Sequence, residues 1–184
     1  RSQVFVDTPW RAYVQGDLGA IDDAAKRGAL LFFQPVEQGG ANCAACHSGD
    51  FFTDEDYYVL AVPQVGPGKD DDGTYGDDDY GRFRVTGQPE DLYAFRTPTL
   101  LNVAVTGPYG HDGAYTTLAG IVRQHLDPAA AVAAYDASQL AGSVQTEHLV
   151  YNTQRALAKL DENRQLGLPG IQPVELTDGQ VADL

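Results

Sequence analysis

The residues most able to do chemistry are Cys43-Ala44-Ala45-Cys46-His47, a C-x-x-C-H sequence. Two thiols at this spacing can each add across a vinyl group of one haem, and the histidine that follows can offer its imidazole to the iron. A bare C-x-x-C also fits a dithiol redox pair or half of a zinc site. Zinc would want two further ligands at matched spacing, and the chain has no other cysteine. A disulfide framework would spread its cysteines along the chain. The adjacent His47 favours one covalently bound haem c.

A haem held by His47 has a far side. The usual thioether partner is excluded, because the chain contains no Met. Leu118, Ile121, Val122 and His125 fall at i, i+3, i+4 and i+7, which puts His125 on the apolar face of a helix. A lone histidine in such a place normally reads as a satisfied core residue; the missing Met makes it a candidate iron ligand. Arg96, set among apolar residues, is a candidate partner for a haem propionate or an ordinary surface arginine. Phe51 and Phe52 could cover a haem face or simply pack in the core. His148 reads as a surface residue.

Two other patterns fail on spacing. In Asp70-Asp71-Asp72-Gly73 the aspartates are consecutive and no Glu closes the cycle, so the region from 63 to 91, with Asp77-Asp78-Asp79, reads as a long solvated acidic loop. Gly66-Pro67-Gly68-Lys69 has Asp70 where a phosphate loop needs Ser or Thr.

The elements that must position these residues read as mainly α. Residues 1–21 form a lead-in segment, with Trp10 packing on the domain; residues 22–184 form a single c-type haem domain with long irregular loops. A helix begins at Asp22 and Asp23 and runs through Phe33, and its Gly28 would let another helix approach closely. Thr97 and Pro98 suggest a cap and first turn in 95–104, and residues 106–113 form a tight loop. Thr116 or Thr117 caps the His125 helix, which Pro128 ends. A short alanine-rich helix covers 129–134 and a longer one about 145–166. Thr177 caps a last helix that stops early, and a chain starting at Arg1 without Met reads as trimmed.

A net charge of -14 and a pI near 4.4 disfavour nucleic acid and anionic lipid and favour a basic redox donor protein. No apolar run is long enough to span a membrane. Haem attachment by this motif points to a periplasmic or secreted location.

Over about residues 22–126 the chain resembles the bacterial di-haem cytochrome c peroxidases and the related MauG-type enzymes. The likeness is carried by Ala25-Lys26-Arg27-Gly28-Ala29-Leu30-Leu31-Phe32, by Cys43 to Gly49, by Phe95 to Ala104 and by Gly107-Pro108-Tyr109-Gly110-His111-Asp112-Gly113. It implies a mainly α, cytochrome c-like domain, the C-terminal one of a two-domain protein of which this chain would be a fragment. That domain's electron-transfer haem would relay electrons from a donor to the haem of a missing N-terminal domain, where peroxide is reduced. Fourteen positions after His111, where the peroxidases carry a Met and the MauG-type enzymes a Tyr, stands His125. A low-spin haem ligated by His47 and His125 is therefore expected, with His111 or an open site as alternatives. The resemblance also implies a calcium ion between the two domains, held partly by the backbone carbonyls of Thr106 and Pro108. A stand-alone monohaem carrier, and a single catalytic haem served by His111 as acid-base group, are the other readings.

Overall fold

The computed structural model describes residues 8–68, 78–168 and 171–184. The chain divides into two compact units, Arg1–Cys43 with Leu176–Leu184, and Ala44–Glu175.

Among the described residues, the first unit holds three α-helices and a 3-10 turn, Val36–Gln38. Helix α1 (Pro9–Val14) starts with proline at its first position and is capped by Thr8, whose hydroxyl accepts from Arg11 N at 3.1 Å. Its Trp10 stacks on Phe33, ring centroids 5.6 Å apart. Helix α2 (Asp23–Phe33) is capped by Asp22, which accepts from Ala25 N at 2.8 Å. Gly28 is where α7 (Asp178–Asp183) comes in: a Cβ there would lie 1.9 Å from Asp183 O, so only glycine fits. Beside it Arg27 donates twice to the Asp183 carboxylate, at 2.7 and 2.8 Å. Thr177 and Gln180 form a reciprocal capping box at the start of α7.

The second unit is also mainly helical. A two-stranded ladder pairs β1 (Tyr57–Tyr58) antiparallel with β2 (Phe95–Arg96). Helix α3 (Phe83–Thr86) is a single turn. Helix α4 (Leu118–Leu126) is capped by Thr117, and Asp127, held extended before Pro128, ends α4 and caps α5 (Pro128–Ala133). Helix α6 (Leu149–Gln165) buries Ala156 and Leu160 against Val59, Ala61, Tyr93 and Ala94.

Through this unit runs an irregular segment, Val59 to Val65, almost all of it buried and outside any strand. Buried backbone polar groups need partners, and here side chains provide several of them. Gln124 donates to Leu60 O and Ala61 O, Thr153 accepts from Gln64 N, and Asp112 accepts from Val65 N.

Three expectations are corrected. Thr97 does not cap a helix: β2 ends beside it, its N–H donates to Asp56 O, and it is buried, while a 3-10 turn forms only at Val103–Val105. Pairing with β1 overrides the local preference of the stretch. Asp78 and Asp79 are not solvated. Asp78 is fully buried, accepting from Tyr93 OH at 2.5 Å and Arg155 at 3.0 Å, whereas Asp70 to Asp72 and Asp77 lie outside the described residues. Helix α6 begins at Leu149, four residues late, and Gln145 O accepts from Gly66 N.

Candidate haem centre

Cys43 opens a 3-10 turn, Cys43–Ala45, and Cys46 and His47 follow directly. The two thiols are half-buried and not disulfide-bonded. Burial pushes the Cys46 thiol up from its ordinary value, against a hydrogen bond from Tyr58 that lowers it. Tyr58 also donates to Asp54 at 2.8 Å, and Asp54 N donates to Cys46 O, so the turn is braced behind the second cysteine.

His47 and His125 lie side by side in the second unit, ring centroids 6.2 Å apart and planes 54° apart. Each ring is held at Nδ1. His47 Nδ1 faces Phe52 O at 3.1 Å and His125 Nδ1 faces Ile121 O at 2.8 Å. A carbonyl can only accept, so each Nδ1 carries the proton and each Nε2 is left with its lone pair, the form that ligates a metal. Burial lowers the pKa of both imidazoles from the ordinary value and keeps them neutral.

The pair passes a simple test of fit to a haem iron. With metal–nitrogen bonds of about 2.0 Å and roughly 1.2 Å more to each ring centre, two imidazoles across one metal have centroids about 6.4 Å apart. The observed separation is close to that. Phe52 serves through its backbone, which adopts φ 51 to present its carbonyl to His47, while the Phe51 ring is mostly exposed.

The remaining expected residues lie as follows. Arg96 is half-exposed on β2, its guanidinium 3.8 Å from Glu55. His111 stacks face to face on Phe95 at 3.6 Å, with Nε2 3.7 Å from an Asp112 oxygen. Thr106 and Pro108 are exposed. Among the described residues no three His, Cys, Asp or Glu side chains gather to hold a metal ion, and no helix is long and apolar enough to cross a membrane.

The residue that sequence reasoning missed is Gln124. It is the one fully buried residue of α4, and its amide donates at 2.7 and 3.0 Å to the buried segment. A polar residue next to His125 carries no periodic signal that would mark it as core.

No family model matches the chain. Among curated proteins it is 34% identical over 134 residues to cytochrome-c peroxidase IdrP1 of Pseudomonas sp. (strain SCT), covering 62% of this chain and 34% of that protein. It is 32% identical to methylamine utilization protein MauG of Methylophilus methylotrophus, covering 66% of this chain and 32% of that protein. The chain thus spans about a third of the length of these relatives. Among solved structures, a MauG-like protein associated with microbial copper homeostasis matches with TM-score 0.52 and 25% identity, over 66% of this chain and 35% of that one. The diheme peroxidase BthA from Burkholderia thailandensis E264 shares the fold over 96% of this chain and 44% of its own, with TM-score 0.59 and 22% identity. Over the stretch they share, the chain is similar in sequence to the di-haem cytochrome c peroxidases and MauG proteins.

Proposed function

We propose that this chain is the electron-transfer haem domain of a di-haem cytochrome c peroxidase-like oxidoreductase. Cys43 and Cys46 would hold one haem c covalently, and His47 and His125 would ligate its iron. The observation that carries the reading is the pair of neutral imidazoles 6.2 Å apart, each fixed by a backbone carbonyl at Nδ1. The haem supplies reversible one-electron chemistry. Two imidazoles without a thioether would favour the oxidised iron, and an iron held by both histidines would leave no open place for peroxide. Peroxide reduction would then belong to a second haem domain outside this chain, and this domain would relay electrons to it from a donor.

The protein's own part is to hold and orient. The carbonyls of Phe52 and Ile121 set each ring's tautomer, Tyr58 and Asp54 brace the turn at Cys46, and Arg96 has a guanidinium within reach of solvent for a propionate. The strongly acidic composition suits a basic donor. A periplasmic location and a calcium ion partly held by Thr106 and Pro108 carbonyls, its other ligands lying outside this chain, belong to the same reading.

The test is the spectrum of the haem-loaded protein. It should be low-spin, and His125→Gly should turn it high-spin. An unchanged low-spin spectrum in the variant would remove His125 from the ligand set. Rapid peroxide turnover by the haem-loaded chain, with ready cyanide binding, would overturn the relay in favour of a catalytic haem.

A further inference from the structure

We propose that Gln124 is the positioning residue for His125: its forked amide, locked onto the buried Leu60–Ala61 backbone, fixes the rotation of α4 and so aims the imidazole at the iron. The proposal rests on His125 being an axial ligand.

The bond from His125 Nδ1 to Ile121 O lies within α4. It orients the ring relative to its helix and says nothing about how the helix sits. That must come from groups reaching outside α4. The apolar residues of the helix, Leu118, Ile121 and Val122, are only partly buried, and apolar contact is non-directional. Gln124 differs on both counts. It is fully buried, both amide protons are used, on Leu60 O at 2.7 Å and Ala61 O at 3.0 Å, and its oxygen accepts from Tyr115 OH at 2.6 Å.

Each of those partners is itself fixed. Ala61 takes a left-handed conformation, φ 49, that few non-glycine residues adopt, and it is buried at 3% exposure. Tyr115 lies close against α4 because Gly120 leaves room: a Cβ there would be 2.8 Å from the Tyr115 ring. Three directional bonds from one side chain to two separate segments define an angle about the helix axis.

The tolerance is narrow. Neighbouring helical residues project about 100° apart, so Gln124 and His125 turn together. A rotation of only about 20° would carry an imidazole nitrogen some 7 Å from the axis through about 2 Å, roughly ten times the deviation that a metal–ligand distance tolerates.

The experiment uses the haem-loaded protein and compares Gln124→Leu, Gln124→Glu and Tyr115→Phe with Thr153→Val. The last loosens the same buried segment at Gln64, away from α4, and so reports what general destabilisation does. Cyanide binding to the oxidised protein reads how often His125 leaves the iron. Gln124→Leu should speed it at least about tenfold, the equivalent of about 1.4 kcal/mol, with a visible high-spin fraction. Tyr115→Phe should speed it less, and Thr153→Val should stay within about twofold of the parent.

Equal acceleration by Thr153→Val, or a parent-like cyanide rate and low-spin spectrum in Gln124→Leu, overturns the proposal. If Gln124→Leu does not fold, Gln124→Glu and Tyr115→Phe decide it by the same criterion. A parent protein whose spectrum ignores His125→Gly would instead overturn the ligand assignment itself, so the two failures are told apart.

Discussion

Gly28→Ala tests the closest helix contact of the first unit. The new methyl carbon would sit 1.9 Å from Asp183 O and 2.7 Å from its carbonyl carbon. Ordinary carbon–oxygen contact is about 3.3 Å, so α7 must move off α2 by more than an ångström. Both atoms are backbone, and no rotamer change relieves them. Overpacking of this kind costs about 1–3 kcal/mol, and the upper part of that range applies where the neighbour cannot yield. Alanine returns about 1 kcal/mol of helix propensity in α2, leaving a net loss of about 2 kcal/mol, felt chiefly at α7. Gly179→Ala is the matched control, because a Cβ there meets nothing nearer than Thr177 Oγ1 at 4.0 Å. It should stabilise by a few tenths to about 1 kcal/mol. Amide exchange along α7 reads both: faster in Gly28→Ala, slower in Gly179→Ala. If Gly28→Ala is stabilising, by the amount propensity alone predicts, then α7 does not pack on Gly28 and the reasoning is wrong.

Arg155→Leu should destabilise by about 3 kcal/mol, since it leaves the fully buried Asp78 carboxylate without its cation. Pairing it with Asp78→Asn should recover a large part of the loss in urea denaturation, and equal losses in the single and double variants would refute the coupling. Asp183 is held below its ordinary value of 3.8, first by its hydrogen bonds from Arg27. A lowered pKa in the folded protein means the carboxylate's contribution is present above about pH 4 and lost as pH falls through the folded value. Amide protection factors in α7 should therefore fall on acidification below pH 4, and Arg27→Gln should flatten that dependence. A profile unchanged by Arg27→Gln would assign the acid sensitivity elsewhere.

Much of the helical framework is legible because its signals are local. Asp22, Thr117, Asp127 and Thr177 each cap the helix that follows them with a bond to an amide three residues on. The Gly28 contact was readable for a similar reason, since a glycine inside a strong helix needs a packing explanation. What sequence could not carry depends on partners far along the chain. The turn expected at Thr97 gives way to a ladder formed with residues 57 and 58. Asp78 looks like one of a run of surface carboxylates until Arg155, 77 residues later, is folded against it.

The candidate haem centre divides the same way. Cys43, Cys46 and His47 are contiguous and readable at sight. His125 followed from helical period and the absence of Met, while the carbonyls that set both tautomers, at Phe52 and Ile121, are backbone groups that residue type does not reveal. Gln124 is the clearest omission: polar residues are usually exposed, and only its buried backbone partners explain its burial.

The buried segment from Val59 to Val65 also bears on the order of folding. Its side-chain partners lie 47, 64 and 89 residues away, at Asp112, Gln124 and Thr153. Each bond closes a long loop before it yields any stabilisation, so these contacts form late and break together. The amides of Gln64 and Val65 should therefore exchange only when the whole second unit opens, and their exchange rates would report its global stability from a stretch with no regular secondary structure of its own.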